Sequence, residues 1–289
     1  MTERAPLAER FEENRRHLRA VAYRVLGSLS EADDAVQEAW LRLNRADSDE
    51  IENLGGWLTT VVARVCLDML RSRNSRHEEP LETEIPEPVL SRTATIDPEQ
   101  ELQLAESVGI ALLVVLEKLE PAERLAFVLH DMFAVPFDEI ASIVGRSEAA
   151  TRQLASRARR RVQGSDVSAT ALTGQRRVVD AFLAALRARD FEGLLAVLDP
   201  DVVVRAESAE GVREIRGARA WAQGAIAFSK QARYIQLVLV DGALGVVLAP
   251  GGRLSRAVRF AVESGKIVAV DIITNPEHLL RLDIALLAV

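Results

Sequence analysis

The stretch RSEAATRQLASRARRR, Arg146 to Arg161, sets six arginines and one glutamate in sixteen residues of a chain whose formal net charge is −7. Guanidinium groups at this density suit one chemistry, the binding of phosphate oxygens. Mixed with Gln and Glu they also suit base edges: Arg pairs bidentately with guanine, Gln with adenine, and Glu accepts from cytosine. A solvated helix face is the plainer reading, and the preceding residues decide between the two. In PFDEIASIVG, Phe137, Ile140, Ala141 and Val144 recur at helical spacing, and Gly145 suits a stop. Ser147 suits the N-cap of a second helix that turns Ala150, Leu154 and Ala158 inward. Two short helices joined by a glycine-containing turn are the helix-turn-helix layout. There the first residues of the second helix meet base edges, which here are Ser147, Glu148, Thr151, Arg152, Gln153 and Ser156. The arginines after them, Arg157 and Arg160 among them, suit phosphate contacts, and Arg146 at the start of the stretch is a further DNA-binding candidate.

A second basic segment strengthens the reading. In WLTTVVARVCLDMLRSRNSR, Arg64, Arg71, Arg73 and Arg76 fall on or beyond the polar face of a helix. Two basic helices separated by an acidic segment suggest two DNA contacts made by one chain.

The elements that must position these residues follow from periodicity. Residues 7–76 read as three helices. Leu7, Phe11, Leu18, Val21 and Val25 form one stripe, ended by Gly27; Ser30 and Asp33 look like a cap pair for the next helix. That second helix carries Ala32, Val36, Trp40 and Leu43, and the third carries Trp57, Leu58, Val61, Val62, Val65 and Met69. Residues 77–98 contain HEEPLETEIPEPVL, with five glutamates and three prolines, and read as an extended linker. Residues 99–163 are helical, with Pro121 in a first turn. Gly164 to Gly174 reads as a polar hinge. Residues 175–198 are helical, and from Val202 the period changes to that of strands. Asp241-Gly242, Pro250-Gly251-Gly252 and Ser264-Gly265 separate four β-rich runs, which predicts an α+β domain with a curved antiparallel sheet over 175–289.

Composition excludes other classes. The chain has 289 residues, 48% hydrophobic and 27% charged, enough for two or three domains with cores. No apolar run approaches the roughly 20 residues that span a bilayer, and the N-terminus lacks an apolar signal core, so no membrane partner and a cytoplasmic location are expected. The single cysteine, Cys66, excludes an internal disulfide and reads as a buried small apolar residue. Four scattered histidines give no metal-ligand spacing, and neither metal nor cofactor is expected.

EADDAVQEAWLRL followed by WLTTVVARVCLDMLRSR resembles region two of bacterial sigma factors. LEPAERLAFVLHDMFAVPFDEIASIVGRSEAATRQLASRARRRV resembles sigma region four. With only these two regions, residues 7–163 resemble the extracytoplasmic-function (ECF) class of the sigma-70 family, and the remainder resembles a SnoaL-like domain of the NTF2-like cone fold, a fusion similar to the SigJ-type group. The resemblance implies two all-α sigma domains, a helical bundle over 1–76 and a helix-turn-helix over 99–163, joined to an α+β cone. It implies core RNA polymerase and promoter DNA as partners. Glu31, Asp33, Asp34, Gln37 and Trp40 match the core-binding helix. Arg64, Asp68, Arg71, Arg73, Asn74 and Arg76 lie in the helix that meets the −10 element, with Arg64 standing where asparagine is common. The helix from Ser147 would read the −35 element. Of the group's linker motif only Pro86-Glu87-Pro88 remains, and its C-terminal motif appears as Asn275 to Leu279; Pro86, Glu87, Pro88, Asn275, Pro276 and Leu279 are thereby candidate regulatory contacts.

The cone fold hosts both enzymes and binding modules. Asp271, a carboxylate inside a strand, and Arg205 are the candidate pocket residues, against the plainer reading of a structural salt bridge; an unidentified small molecule is the candidate ligand. No catalytic residue stands out. The competing reading of the whole chain is a helix-turn-helix regulator fused to a small SnoaL-like enzyme, which would have no need of EADDAVQEAW.

Overall fold

The computed structural model describes residues 4–46, 51–77, 109–163, 169–250 and 253–287. The linker, with Pro86, Glu87 and Pro88, lies outside the described residues. Two compact units emerge: Met1–Val108 with Leu119–Arg159, and Gly109–Lys118 with Arg160–Val289.

In the first unit, apolar residues at helical spacing bury one stripe each. Helix α1 (Arg4–Leu26) contributes Phe11, Leu18, Val21 and Val25, α2 (Leu29–Leu43) contributes Ala32, Val36 and Leu43, and α3 (Leu54–His77) contributes Leu58, Val62 and Cys66. Gly27, at φ 75°, ends α1, and its N–H donates to the Tyr23 carbonyl. The cap of α2 is Ser28, whose hydroxyl accepts from the Glu31 N–H, and not the expected Ser30–Asp33 pair: Ser30 already lies within the helix, and Asp33 is bound to Arg19 at 2.7 Å.

Helix α4 (Ile110–Glu117) is apolar nearly all round, and Ile110, Leu113, Val114, Val115 and Leu116 are buried. Such a helix needs cover on every side, and it packs on strands β3 (Ile235–Val240) and β7 (Ile284–Ala285) of the second unit. Grouping in space thus differs from grouping along the chain, where this helix falls within 99–163. Helix α5 (Pro121–Phe127) starts with Pro at its first turn and runs into a π turn at Val128–Met132. Helix α6 (Phe137–Val144) stops at Gly145, which is left-handed at φ 69°, ψ 41°. Helix α7 (Glu148–Gln163) follows, with the Ser147 hydroxyl accepting from the Ala150 N–H at 3.2 Å.

Helix α8 (Ala169–Ala188) begins inside the segment expected to be a hinge, so residues 169–174 are helical while 164–168 lie outside the described residues. Helix α9 (Phe191–Val197) leads into a seven-stranded sheet of order β2-β1-β6-β5-β4-β3-β7. Its strands are β1 (Leu198–Ser208), β2 (Gly211–Arg216), β3, β4 (Ala243–Leu248), β5 (Arg256–Glu263), β6 (Lys266–Ile273) and β7, with α10 (Ala218–Ala227) between β2 and β3. The Asp241-Gly242 and Ser264-Gly265 turns have positive φ throughout, at 50° and 75°, and 49° and 76°, the type I′ geometry that matches strand twist.

The sheet is not wholly antiparallel. Strands β1 and β6 run parallel, with Val204 opposite Val270 and Arg205 opposite Asp271. The chain returns to β1 only after β2, α10 and three further strands, and such long crossovers are what parallel pairing requires. Gly245 permits the tight approach of β4 to β5, because a Cβ there would stand 2.5 Å from the Val258 carbonyl oxygen. Helices α8 and α10 cover the concave face, where Phe182 stacks on Trp221 with centroids 5.1 Å apart. This is the expected α+β cone.

Candidate nucleic-acid and polymerase interfaces

Helix α7 separates its faces sharply. Leu154, Ala155, Ala158 and Val162 are buried, whereas Arg152, Gln153, Ser156, Arg157 and Arg160 are exposed, and Arg146, Ser147 and Glu148 lie exposed at its N-terminal end. Thr151 departs from the sequence expectation. It is fully buried, and its hydroxyl donates to the Ser147 carbonyl at 3.0 Å, so it braces the cap and faces away from any base. Its position, seven residues before Ala158 and three before Leu154, was the available signal that it belongs to the inward stripe.

The exposed arginines differ in electrostatic state. Arg152 pairs with Glu148 one turn earlier, and its guanidinium lies 5.6 Å from the Phe137 ring centroid. Arg157 lies 3.3 Å from Glu123. Arg159 donates to both Asp131 carboxylate oxygens, at 2.6 and 3.1 Å, and this bonding pushes its pKa up. Arg146 and Arg160 have no ion-pair partner among the described residues.

On α3, Arg64, Asp68 and Arg71 are exposed at spacings of four and three, so they share one face. Arg73 turns away from them and bonds Glu31 of α2. The side chains of Asn74 and Arg76 lie outside the described residues. The residues expected to meet polymerase therefore divide. Glu31 and Asp33 are engaged by Arg73 and Arg19, and the Trp40 ring packs 4.9 Å from that of buried Phe11. Asp34 and Gln37 are exposed. Beside them stands Leu41, 41% exposed, which sequence reasoning passed over; its signal was its place one turn after Gln37, off the apolar stripe.

In the second unit, Arg205 and Asp271 do not pair with each other and are not among the residues that line the unit's apolar cavity. Both side chains lie on the outer face: Arg205 is 3.6 Å from Glu214, and Asp271 accepts from Arg259, which also binds Asp241 at 3.1 Å. The cavity lies on the opposite, concave face. It holds about 500 Å³ and is walled by Phe182, Trp221, Phe228, Val258, Phe260 and Ile272 among others, with Arg256 set into it. Burial pushes the Arg256 pKa down. Asn275 caps α11 (Pro276–Arg281) by accepting from the His278 N–H at 3.1 Å, and Leu279 is buried within this unit. The Leu279 carbonyl accepts from Lys118.

A sigma-70 region 2 model matches residues 10–76, and a sigma-70 region 4 model matches residues 110–162. The chain is 40% identical to the ECF RNA polymerase sigma factor SigJ of Mycobacterium tuberculosis, over 92% of this chain and 91% of that one. It is 33% identical to the probable ECF RNA polymerase sigma factor SigI of the same species, over 96% and 97%. The crystal structure of M. tuberculosis SigJ shares 36% sequence identity with it, covering 93% of this chain and 97% of that one, at a TM-score of 0.46. The region 4 match begins at Ile110, so it includes α4, the helix packed on β3 and β7.

Proposed function

The chain belongs to the ECF sigma factors of the sigma-70 family, and from that premise we propose which of its surfaces meet polymerase and DNA. It acts as an initiation factor that binds core RNA polymerase and directs it to promoters. Core polymerase meets α2 through Asp34, Gln37 and Leu41, with Glu31, Asp33 and Trp40 holding that helix in place from behind. The −10 element meets Arg64, Asp68 and Arg71 on α3. The −35 element meets α7, where Arg152, Gln153, Glu148 and Ser156 face bases and Arg146, Arg157 and Arg160 face phosphates. The domain division proposed along the chain is 1–76, 99–163 and 175–289, with α4 shared in space with the last.

One observation carries the −35 assignment: the outer face of a capped helix presents Arg152, Gln153, Ser156, Arg157 and Arg160 while its inner face is sealed. The test compares Arg152→Ala and Arg160→Ala on matched and mismatched promoter duplexes by fluorescence anisotropy. Loss of a base-reading arginine costs about 1–3 kcal/mol on the matched site only. Loss of Arg160 weakens all sequences alike and flattens the salt dependence. If Arg152→Ala lowers affinity without altering preference, the base-reading role is wrong.

We infer further that the C-terminal domain regulates and does not catalyse. General acid–base chemistry needs a group poised near the working pH. The titratable groups lining its cavity are Arg213, Glu214 and Arg256, and Glu214 is committed to Arg216 at 2.8 Å and Arg205 at 3.6 Å.

A further inference from the structure

The cavity of the C-terminal domain combines an apolar wall with a guanidinium set into it. Its wall is aromatic and aliphatic, with the Phe182 ring against both Trp221 and Phe260 at one end. Into this wall β5 delivers Arg256, whose guanidinium stands 4.7 Å from the Phe228 ring centroid. The ring takes up part of the charge, yet Nε is enclosed without a hydrogen-bond acceptor among the described residues. A guanidinium stays charged in proteins, and enclosing its Nε without an acceptor costs free energy that an uncharged side chain of similar length would avoid. The one carboxylate lining the cavity, Glu214, is drawn to Arg216 and Arg205. Arg213, also in the lining, adds a second positive charge. The cavity is thus locally cationic in a chain of net charge −7.

We propose that this cavity binds an apolar monocarboxylic acid, its carboxylate held by Arg256 and its hydrocarbon body packed among Phe182, Trp221, Val258 and Phe260. A carboxylate supplies the paired acceptors that a guanidinium fork matches in its own plane. A volume of about 500 Å³ lies in the range of small-molecule sites, roughly 300–1,000 Å³. Phosphate esters or dianions fit poorly, since the site brings few donors and much apolar surface that a second charge would meet. The proposal deepens the ligand-binding reading of this domain and does not depend on the DNA or polymerase assignments.

Gly224 provides a control that leaves Arg256 untouched. It lines the cavity on α10 at ordinary helical geometry, and a Cβ there meets nothing within 4 Å. Gly224→Leu therefore extends a side chain into open space, and it replaces the weakest helix former apart from proline. The full chain is titrated calorimetrically with 2-naphthoate and with decanoate, each beside its neutral amide. The expected result is one-to-one binding of at least one acid, at least tenfold tighter than its amide. Arg256→Met should abolish that preference, and Gly224→Leu should weaken acid and amide together by tenfold or more, with thermal midpoints confirming folding. Equal binding of acid and amide, an acid preference that survives in a folded Arg256→Met protein, or no saturable binding of either acid at millimolar concentration overturns the proposal. Should Arg256→Met fail to fold, the acid-over-amide ratio in the unaltered chain and the joint weakening of acid and amide in Gly224→Leu decide the matter alone.

Discussion

Single side chains here separate into those that hold the scaffold and those left facing water, and the same residue type serves both ends. Arg152 and Arg160 share a helix face, yet one is bound to Glu148 and the other has no ion-pair partner among the described residues. Arg73 and Glu31, expected to serve different partners, bond each other across α3 and α2 with each side chain about 28% exposed. A cycle of Glu31→Ala, Arg73→Ala and the double variant should give a coupling of about 0.5–1 kcal/mol in urea unfolding. Additive effects would show that the contact contributes nothing. Cys66 gives a second prediction. Fully buried away from water, its thiol pKa is pushed up to about 12, so the native chain should resist alkylation at pH 8, and the urea-unfolded chain should react. The sign for stability follows. The unfolded thiol ionises near pH 8.5 while the folded one stays neutral, so this contribution is present below that pH and declines as pH rises toward 12.

At the scale of the element, the turn between α6 and α7 is the most exacting feature. Gly145 sits at φ 69°, and a Cβ there would meet nothing within 4 Å, so the requirement is conformational and not steric. A β-branched residue in left-handed geometry costs about 1–2 kcal/mol. Gly145→Val should lower the thermal midpoint and weaken promoter binding, and Gly145→Asn should restore most of both, since asparagine tolerates that region. Equal loss in the two variants would point to an unrecognised contact. Helix α2 makes the complementary case. Asp34→Lys with Gln37→Ala changes only exposed positions, so circular dichroism should be unaltered while co-purification with core polymerase is lost. Retained co-purification removes this helix as the contact.

Across the whole molecule, the C-terminal tail belongs to the sheet unit's own architecture. Leu279, Leu282, Ile284 and Ala285 are each at most 7% exposed, β7 pairs with β3, and the Leu286 N–H donates to the Val162 carbonyl at 2.9 Å. The tail therefore covers its own sheet, and it shares that sheet edge with α4, which lies inside the region 4 match. Fully burying a leucine or isoleucine stabilises by about 1.5–3 kcal/mol. Truncation after Thr274 should therefore lower the thermal midpoint measurably before any transcriptional effect is read. Unchanged thermal unfolding of a soluble truncated chain would show that the tail is dispensable to the unit.

The sequence by itself determined what rests on short-range periodicity and turn chemistry. Helix stripes, the Gly27 and Gly145 stops, the Ser147 cap and the two type I′ turns depend on neighbours a few residues away, and the family resemblance rests on contiguous motifs of the same kind. Only the tertiary structure decided what depends on distant chain segments. Nothing local specifies that β6 lies parallel to β1, that α4 is covered by β3 and β7, that Arg73 reaches Glu31 across 42 positions, or that Arg205 and Asp271 face outward while Arg256 enters the cavity. Strand spacing tells that successive side chains alternate, but which of the two faces becomes the inside is set by the helices that close over it.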